Sequence, residues 1–318
     1  MKSPKIIVIG ELNIDIVVHG LPRFPKAGEL VNGNQVTIGA GGKSRNIAAM
    51  AGTLTSKGSV AMIAKTSRDD YGLWKVPVDA LQQSNVDTTY VVVDGKAPEM
   101  PGIALILVDV HGANEIVGSQ GITKKFAPED VAAAKKLFAR SGVDGFLVFT
   151  GNCPLPTARR AIQLANEHGL KVLFDPGGAD NVAGCKPILK GLYLVKPNEH
   201  EAYEITGIRV TNFASAKRAA DAMKKLGAQN VLITAGADGA YLFAGAIEQH
   251  LSVMDVTKTD TRDETGCGDQ TMATLAASLK EGKSLEAACA VAVLSGTLQF
   301  YKAGIVPVTK EEIDGYQA

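Results

Sequence analysis

The sequence predicts an α/β protein, with a mainly parallel sheet covered by helices on both faces and a small antiparallel sheet projecting from it. Short apolar runs recur along the 318 residues, and several are apolar throughout, as strands covered on both faces require. Segments with helical patterning separate them, which is the alternation of a parallel sheet. Three of those segments are followed by a glycine, Gly142, Gly169 and Gly227, where a helix C-cap favours it.

In chain order, strands are expected at Lys5–Ile9, Ser59–Ala64, Gly145–Phe149, Lys171–Phe174, Leu192–Val195, Val231–Thr234 and Tyr241–Phe243. Helices are expected at about 44–56, 71–84, 128–140, 155–168, 212–226, 270–281 and 284–300. Two stretches break the alternation. Residues 12–40 and 89–119 carry strand-like runs with no helix between them: Leu12–Val18, Val31–Ile38, Thr89–Val93, Gly102–Asp109 and Asn114–Ser119. They predict a small antiparallel sheet whose functional reading is a lid that keeps water out of a site. A purely ornamental hairpin sheet is the alternative, and the lid is favoured because both segments border polar motifs. With no internal repeat or low-complexity linker, residues 1–318 are read as one domain with an excursion.

Composition narrows the function. Lys plus Arg and Asp plus Glu are both 33, and aromatics are 5%, so the basic footprint of a nucleic-acid binder is missing. No apolar run approaches the roughly 18 residues of a membrane span. Cys153, Cys185, Cys267 and Cys289 lack Cys-x-x-Cys spacing, which argues against a zinc site or a disulfide framework. A reduced, soluble, cytoplasmic protein is the simplest expectation.

The most informative run is Asp263-Glu264-Thr265-Gly266-Cys267-Gly268-Asp269, directly before the apolar positions Met272, Ala273, Leu275 and Ala276. It has the layout of a glycine loop feeding a helix N-terminus, where amide N–H groups and the helix dipole stabilise an anion. A transferring phosphoryl group is such an anion, and Asp269 stands beside it to take a proton from an attacking hydroxyl. A tight turn with no chemistry is the bland alternative.

Gly39-Ala40-Gly41-Gly42-Lys43-Ser44 fails as a P-loop, because Thr37 stands at the first position, and as a dinucleotide fingerprint, because Ser44 stands at the last glycine. Close backbone approach to a ligand at the start of a helix carrying Asn46 survives. Asn13 and Asp15 share one face of a strand and suit sugar hydroxyls, or form an ordinary solvated face. Asn198 and Glu201, in Lys196-Pro197-Asn198-Glu199-His200-Glu201, lie on one side of a helical turn after a buried-type strand. They suit Mg²⁺ held through water and phosphates, or a plain capping box. Thr234-Ala235-Gly236-Ala237-Asp238-Gly239 either lies against a nucleotide or turns a hairpin.

Taken in order, Asn-x-Asp, Gly-Gly-Lys-x-x-Asn, Asn-x-x-Glu, Thr-x-Gly-x-x-Gly and Asp-x-Thr-Gly-x-Gly-Asp resemble the ribokinase-like carbohydrate kinases, also called the PfkB family. The resemblance spans essentially the whole chain. It implies a three-layer sandwich with a small β-sheet lid, ATP and Mg²⁺ as cofactors, and a small sugar as acceptor. Residue by residue, it implies Asp269 as catalytic base and Gly266, Cys267 and Gly268 as the anion hole. Cys267, commonly alanine in this family, is then a small spacer rather than a redox thiol. Asn198 and Glu201 match the Mg²⁺ pair; Thr234, Gly236 and Gly239 match the nucleotide loop. Asn13, Asp15, Gly41, Gly42, Lys43 and Asn46 match the sugar site. Asp263 and Thr265 match the segment that helps bind an activating monovalent cation, K⁺.

Departures bear on the substrate. Asn152 stands where ribokinases usually place a sugar-contacting Glu, and an amide changes the donors and acceptors offered. Gln270 stands where a small residue or Thr is common. Lys258-Thr259-Asp260-Thr261-Arg262 is unusually charged, and Gln299-Phe300-Tyr301-Lys302-Ala303-Gly304 replaces small residues around the cation loop, which sets the sequence against K⁺ activation. Transfer of the γ-phosphate of ATP to a primary hydroxyl, with ribose leading, is expected. Fructose, 2-keto-3-deoxygluconate, a nucleoside or a polyol stay open as acceptors. A non-catalytic sugar or nucleotide sensor is the rival from another class; a dinucleotide-dependent oxidoreductase is disfavoured by the failed fingerprint. An exposed antiparallel sheet has edges and one apolar face, which predicts a homodimer through the lid.

Overall fold

The computed structural model describes residues 4–256 and 259–316, so Lys258 lies outside the described residues. β1 (Ile6–Ile9) is followed by β2 (Asn13–Leu21), β3 (Gln35–Gly41), α1 (Lys43–Leu54), β4 (Val60–Ser67), α2 (Lys75–Gln83) and β5 (Asp87–Asp94). Then come β6 (Gly102–Asp109), β7 (Asn114–Ser119), α3 (Pro128–Ala133), α4 (Lys135–Ser141), β8 (Phe146–Thr150), α5 (Leu155–Glu167) and β9 (Lys171–Asp175). The remainder is β10 (Leu194–Val195), α6 (Glu199–Thr206), α7 (Phe213–Lys225), β11 (Asn230–Thr234), β12 (Ala240–Ala244), β13 (Ile247–Leu251), α8 (Cys267–Lys280), α9 (Leu285–Phe300) and α10 (Lys310–Asp314).

Nine strands form the large sheet in the order β13-β12-β11-β10-β9-β8-β1-β4-β5, parallel except where β12 and β13 join. Alternate residues of each strand serve opposite layers. Ile7, Ile9, Ile63, Leu147 and Phe149 pack with α4, α5, α6 and α7. Ile6, Val8, Met62 and Val148 pack with α1, α8 and α9 on the other side. That is the three-layer sandwich, and each fully buried aliphatic side chain stabilises it by about 1.5–3 kcal/mol. Gly142, Gly169 and Gly227 all adopt positive φ at helix ends, as their positions predict. Among the described residues, no helix is long and apolar enough to cross a membrane.

The lid is the four-stranded sheet β3-β2-β6-β7. Its outer pairs are antiparallel, while β2 and β6 run parallel at its centre. Thr89–Val93 does not belong to it, contrary to the sequence expectation. That run lies in β5 and pairs parallel with β4 at the edge of the large sheet, because α2 makes β4-α2-β5 a crossover unit that returns to the same sheet. The helix expected from 71 starts at Lys75. The Asp69 carboxylate accepts the N–H groups of Tyr71, Leu73 and Trp74 and holds 69–74 as a turn. The 128–140 helix is divided at Ala134 into α3 and α4.

Candidate active site

Strand order brings the site together. The carboxyl ends of β1, β8, β9 and β10 carry Glu11, Asn152, Asp175 and Lys196, at the sheet edge where open α/β folds bind ligands. The starts of α1, α6 and α8 arrive at the same edge.

Asp269 occupies the first turn of α8 and is 3% exposed. α8 lies against α1, whose Lys43 and Asn46, three apart, face it. Lys43 Nζ stands 3.0 Å from Asp269 Oδ1, and Asn46 Nδ2 donates to Oδ2 at 2.9 Å. The charge of Asp269 pushes the Lys43 ammonium well above the usual lysine range against its own burial, with Asp175 and Glu201 adding to the effect. Lys43 is therefore cationic at any working pH. Gly266 caps α8 in the left-handed region at φ 78°, which an L side chain resists. Cys267 N–H bonds Glu264 O at 3.2 Å, while the N–H groups of Gly268 and Asp269 have no acceptor among the described residues. A helix start with two free donors is an anion site. The Cys267 thiol is pushed up to about 12 by burial and by the charges of Asp263, Glu264 and Asp269, which disfavours its thiolate.

Lys196 is buried and pairs with buried Asp175 at 2.8 Å. A Cβ on Gly268 would lie 3.6 Å from Lys196 Nζ, so this second ammonium overlooks the same helix start. Burial pushes the Asp175 carboxyl up, but Lys196 and Lys43 outweigh it and hold the group below its usual range. Asn198 and Glu201 form a reciprocal capping box at the start of α6: Asn198 Oδ1 accepts Glu201 N–H at 2.8 Å and Glu201 Oε2 accepts Asn198 N–H at 2.9 Å. The bland alternative is thus real, yet the Glu201 carboxylate also faces the cluster. A Cβ on Gly177 would meet Glu201 Oε1, Asp175 Oδ1 and Lys43 Cε, all at 3.0 Å or less. Burial and the Asp175 charge raise the Glu201 pKa. No three metal-ligating side chains converge among the described residues. An amide oxygen and one such carboxylate therefore fit a Mg²⁺ carried on water and phosphate rather than caged by protein.

The lid sheet has one nearly bare face, which carries Asn13 and Asp15. Its register puts Gly39, Gly41, Gly102, Gly118 and Ala104 on the same face as Asn13 and Asp15, leaving those two side chains standing over a nearly bare sheet. Any Cβ on Gly41 would collide with the Asp15 carboxylate, and one on Gly102 with Asn13 Oδ1. Asn13 Oδ1 and Asn46 Oδ1 are buried without a hydrogen-bond donor, the acceptors a polyol would satisfy. Burial raises the Asp15 pKa against the charge of Arg45.

Asn152, expected at the sugar, has a protein partner as well. Its Nδ2 donates to Glu11 Oε1 at 3.0 Å, and the side chain borders a cleft of about 300 Å³ with Gln120, Lys124, Gly178, Asp180 and Asn181. Glu11, 2% exposed, also accepts from Ser44 N–H at 3.2 Å and Ser44 Oγ at 2.9 Å. Position 152 is thus tied by its amide to a buried carboxylate at position 11. Thr234 N–H bonds Pro197 O at 3.0 Å, so the β11 loop sits beside the α6 start. Gly239 is accounted for by the hairpin, since a Cβ there would strike Leu251 O; Gly236 faces open space. Gln270 turns away from Asp269, bonding Thr274 Oγ1 and Val308 N–H. Asp263, expected among the metal ligands, joins neither Asn198 nor Glu201. Its Oδ1 accepts Thr265 N–H at 2.8 Å and its Oδ2 accepts Gly304 N–H at 2.7 Å.

Four residues escaped the sequence reading. Glu11, Asp175 and Lys196 each stand at the end of a buried apolar run, and a charge at that point is itself a signal of the sheet's ligand edge. Arg45 carried no signal. It is buried, its guanidinium donates to Ala40 O and Gly41 O, and burial lowers its pKa to about 10, so it stays cationic near Asp15.

A lidded α/β sandwich with a buried carboxylate beside free helix-start amides defines a small-molecule phosphotransferase. Residues 3–309 match the pfkB family carbohydrate kinases, and the chain belongs to that family. It is 29% identical over 312 residues to the ribokinase of Haemophilus influenzae, covering 97% of each chain. It is 30% identical over 290 residues to a deoxyribokinase of Salmonella typhi, covering 91% of this chain and 90% of that one. The structure of Arabidopsis thaliana ribokinase complexed with ribose and ATP superimposes with a TM-score of 0.86 at 25% identity, over 98% of each chain. This chain is accordingly a phosphotransferase acting on a sugar hydroxyl.

Proposed function

We propose that the acceptor is ribose, phosphorylated by ATP at its primary hydroxyl, with Asp269 as the general base. The observation that carries this is the Asp269 carboxylate, fixed by Lys43 and Asn46 next to the free N–H groups of Gly268 and Asp269. Asn13, Asp15 and Asn46 receive the sugar hydroxyls over the glycine-lined floor of the lid. Asp269 takes the hydroxyl proton as the oxygen attacks the γ-phosphorus in line and the bond to ADP breaks. The two amides, with Lys43 and Lys196 behind them, face the charge that develops on the transferring group. Asn198 and Glu201 would hold Mg²⁺ through water, and the ion would supply positive charge against the phosphates. Asp269 alone argues against a pure sensor, which needs no base.

The test is a coupled ADP-release screen over ribose, 2-deoxyribose, fructose, 2-keto-3-deoxygluconate, nucleosides and polyols. Ribose is expected to give the highest kcat/KM. 2-Deoxyribose is the acceptor to beat, because a deoxyribokinase is as similar to this chain as a ribokinase is. Ligand binding without ADP release across the whole panel would favour the sensor.

The homodimer is part of the same proposal. The lid face opposite Asp15 aligns Ile38, Ile16, Leu105 and Val117 in one row across all four strands, and Ile38, Leu105 and Val117 are exposed. A second copy of this lid covers such a row. Light scattering should show a dimer, and Leu105→Glu should give a monomer. The four unpaired cysteines accord with a reducing cytoplasm.

A further inference from the structure

The segment matched to a monovalent-cation site does not fit such an ion. A cation of this kind works by gathering carbonyl and carboxylate oxygens. Yet in the seam between residues 259–266 and 299–304 donors already hold both Asp263 oxygens and the Phe300 and Gly304 carbonyls, while Gln299 Oε1 is buried without a donor among the described residues. Both Asp263 carboxylate oxygens accept backbone N–H groups, from Thr265 and Gly304. Gln299, with 0% exposure, places Nε2 at 2.8 Å from Gly304 O and at a longer 3.5 Å from Thr265 O. Turning that amide over would set oxygen against oxygen, so the two carbonyls fix its orientation. Asp263 N–H bonds Phe300 O at 3.0 Å and Thr259 Oγ1 donates to Tyr301 O at 2.9 Å. Arg262 donates to Thr261 O and Thr259 O, with its guanidinium 4.6 Å from the Tyr301 ring centroid. The seam has its own cation and its own donors.

The same seam braces the start of α8. A Cβ on Gly266 would lie 2.9 Å from Ile305 Cδ1 and 3.9 Å from Gln299 Nε2. We infer that the Gln299 side-chain amide takes the place of the activating cation, tying the glycine loop to the 299–304 turn, so that turnover does not depend on K⁺. Gln299 is a positioning residue, and its effect on rate rests on the reading that the α8 start holds the transferring phosphoryl group.

ADP release by the full-length protein is measured with ribose and MgATP in choline, sodium, potassium and caesium chloride at constant ionic strength. Wild-type rates should agree within about twofold, since an ion with no preferred state shifts nothing. Gln299→Ala removes the donor and leaves room; its kcat in choline should fall about 10- to 100-fold and recover on adding K⁺. Without substrates, K⁺ should raise the melting temperature of Gln299→Ala and not that of wild type. Gln299→Met fills the volume without a donor and should lose rate with no recovery, which a merely structural role would not separate from the alanine variant.

Wild-type activation by K⁺ beyond about fivefold, or a Gln299→Ala enzyme as fast as wild type in choline, overturns the inference. If no acceptor turns over in any salt, the kinase reading fails, and the melting temperatures still decide the seam: K⁺ stabilising wild type rejects it. If Gln299→Ala does not fold, the wild-type salt series and Gln299→Met give the answer.

Discussion

Replacing Asp269 by asparagine keeps the side-chain shape and removes only the base. At 3.0 Å from Lys43 Nζ, the lost attraction is about 5 kcal/mol for an effective dielectric constant of about 20. Two effects reduce its influence on stability. The Lys43 side chain is 34% exposed, so solvent screens the pair. Asp269 is 3% exposed, so the variant also escapes the cost of burying a carboxylate. The net change should be about 1–2 kcal/mol, a shift of a few degrees in melting temperature. The rate is another matter. Losing a general base typically costs about 10²–10⁴ in kcat, or about 2.7–5.5 kcal/mol of transition-state stabilisation. The backbone donors of Gly268 and Asp269 survive, so KM for ATP should stay within about threefold. Steady-state ADP release at saturating ribose, with a melting curve on the same preparation, gives both numbers. A folded variant whose kcat lies within about threefold of wild type would refute Asp269 as base.

Other outcomes follow from particular contacts. Gly41→Ala drives a methyl into the Asp15 carboxylate; KM for ribose should rise about tenfold or more while KM for ATP holds, and equal rises in both would detach Gly41 from the sugar site. Lys196→Met leaves Asp175 buried and unpaired, which should cost about 3–5 kcal/mol in urea unfolding, and adding Asp175→Asn should recover most of it. Because Lys196 and Lys43 hold the Asp175 pKa below its unfolded value, its contribution is present above about pH 4 and lost as pH falls through the folded value. Acid unfolding of Lys196→Met should therefore begin at higher pH than in wild type, and an unchanged acid limb would remove Asp175 from the balance. With its thiol pushed up to about 12, Cys267 has roughly 10³ less thiolate than an ordinary cysteine, partly offset by greater nucleophilicity. Disulfide exchange with a small aromatic disulfide at pH 8 should be roughly 50-fold slower than for a free cysteine, and a fast labelling of position 267 would contradict the spacer role.

The sequence alone determined what depends on neighbours along the chain. Apolar runs placed seven of the nine strands of the large sheet to within about three residues, missing the polar β13 (Ile247–Leu251), and the glycine loop before Met272 marked the start of α8, because periodicity and backbone freedom are local properties. The pairing of Asn13 with Asp15 on one strand face was legible for the same reason. What only the tertiary structure decided is which side chains meet. Asp269 and Asn46 are 223 residues apart, and their bond exists because α1 and α8 lie side by side on one layer of the sandwich. β5 joined the large sheet rather than the lid through its pairing with β4, a choice that its own residues do not encode. Asn152 met the Glu11 carboxylate across 141 residues. The Gln299 amide filled a seam that sequence could only flag as unusual. A buried donor or charge takes the partner that the folded chain brings within reach, and sequence separation carries no information about that reach.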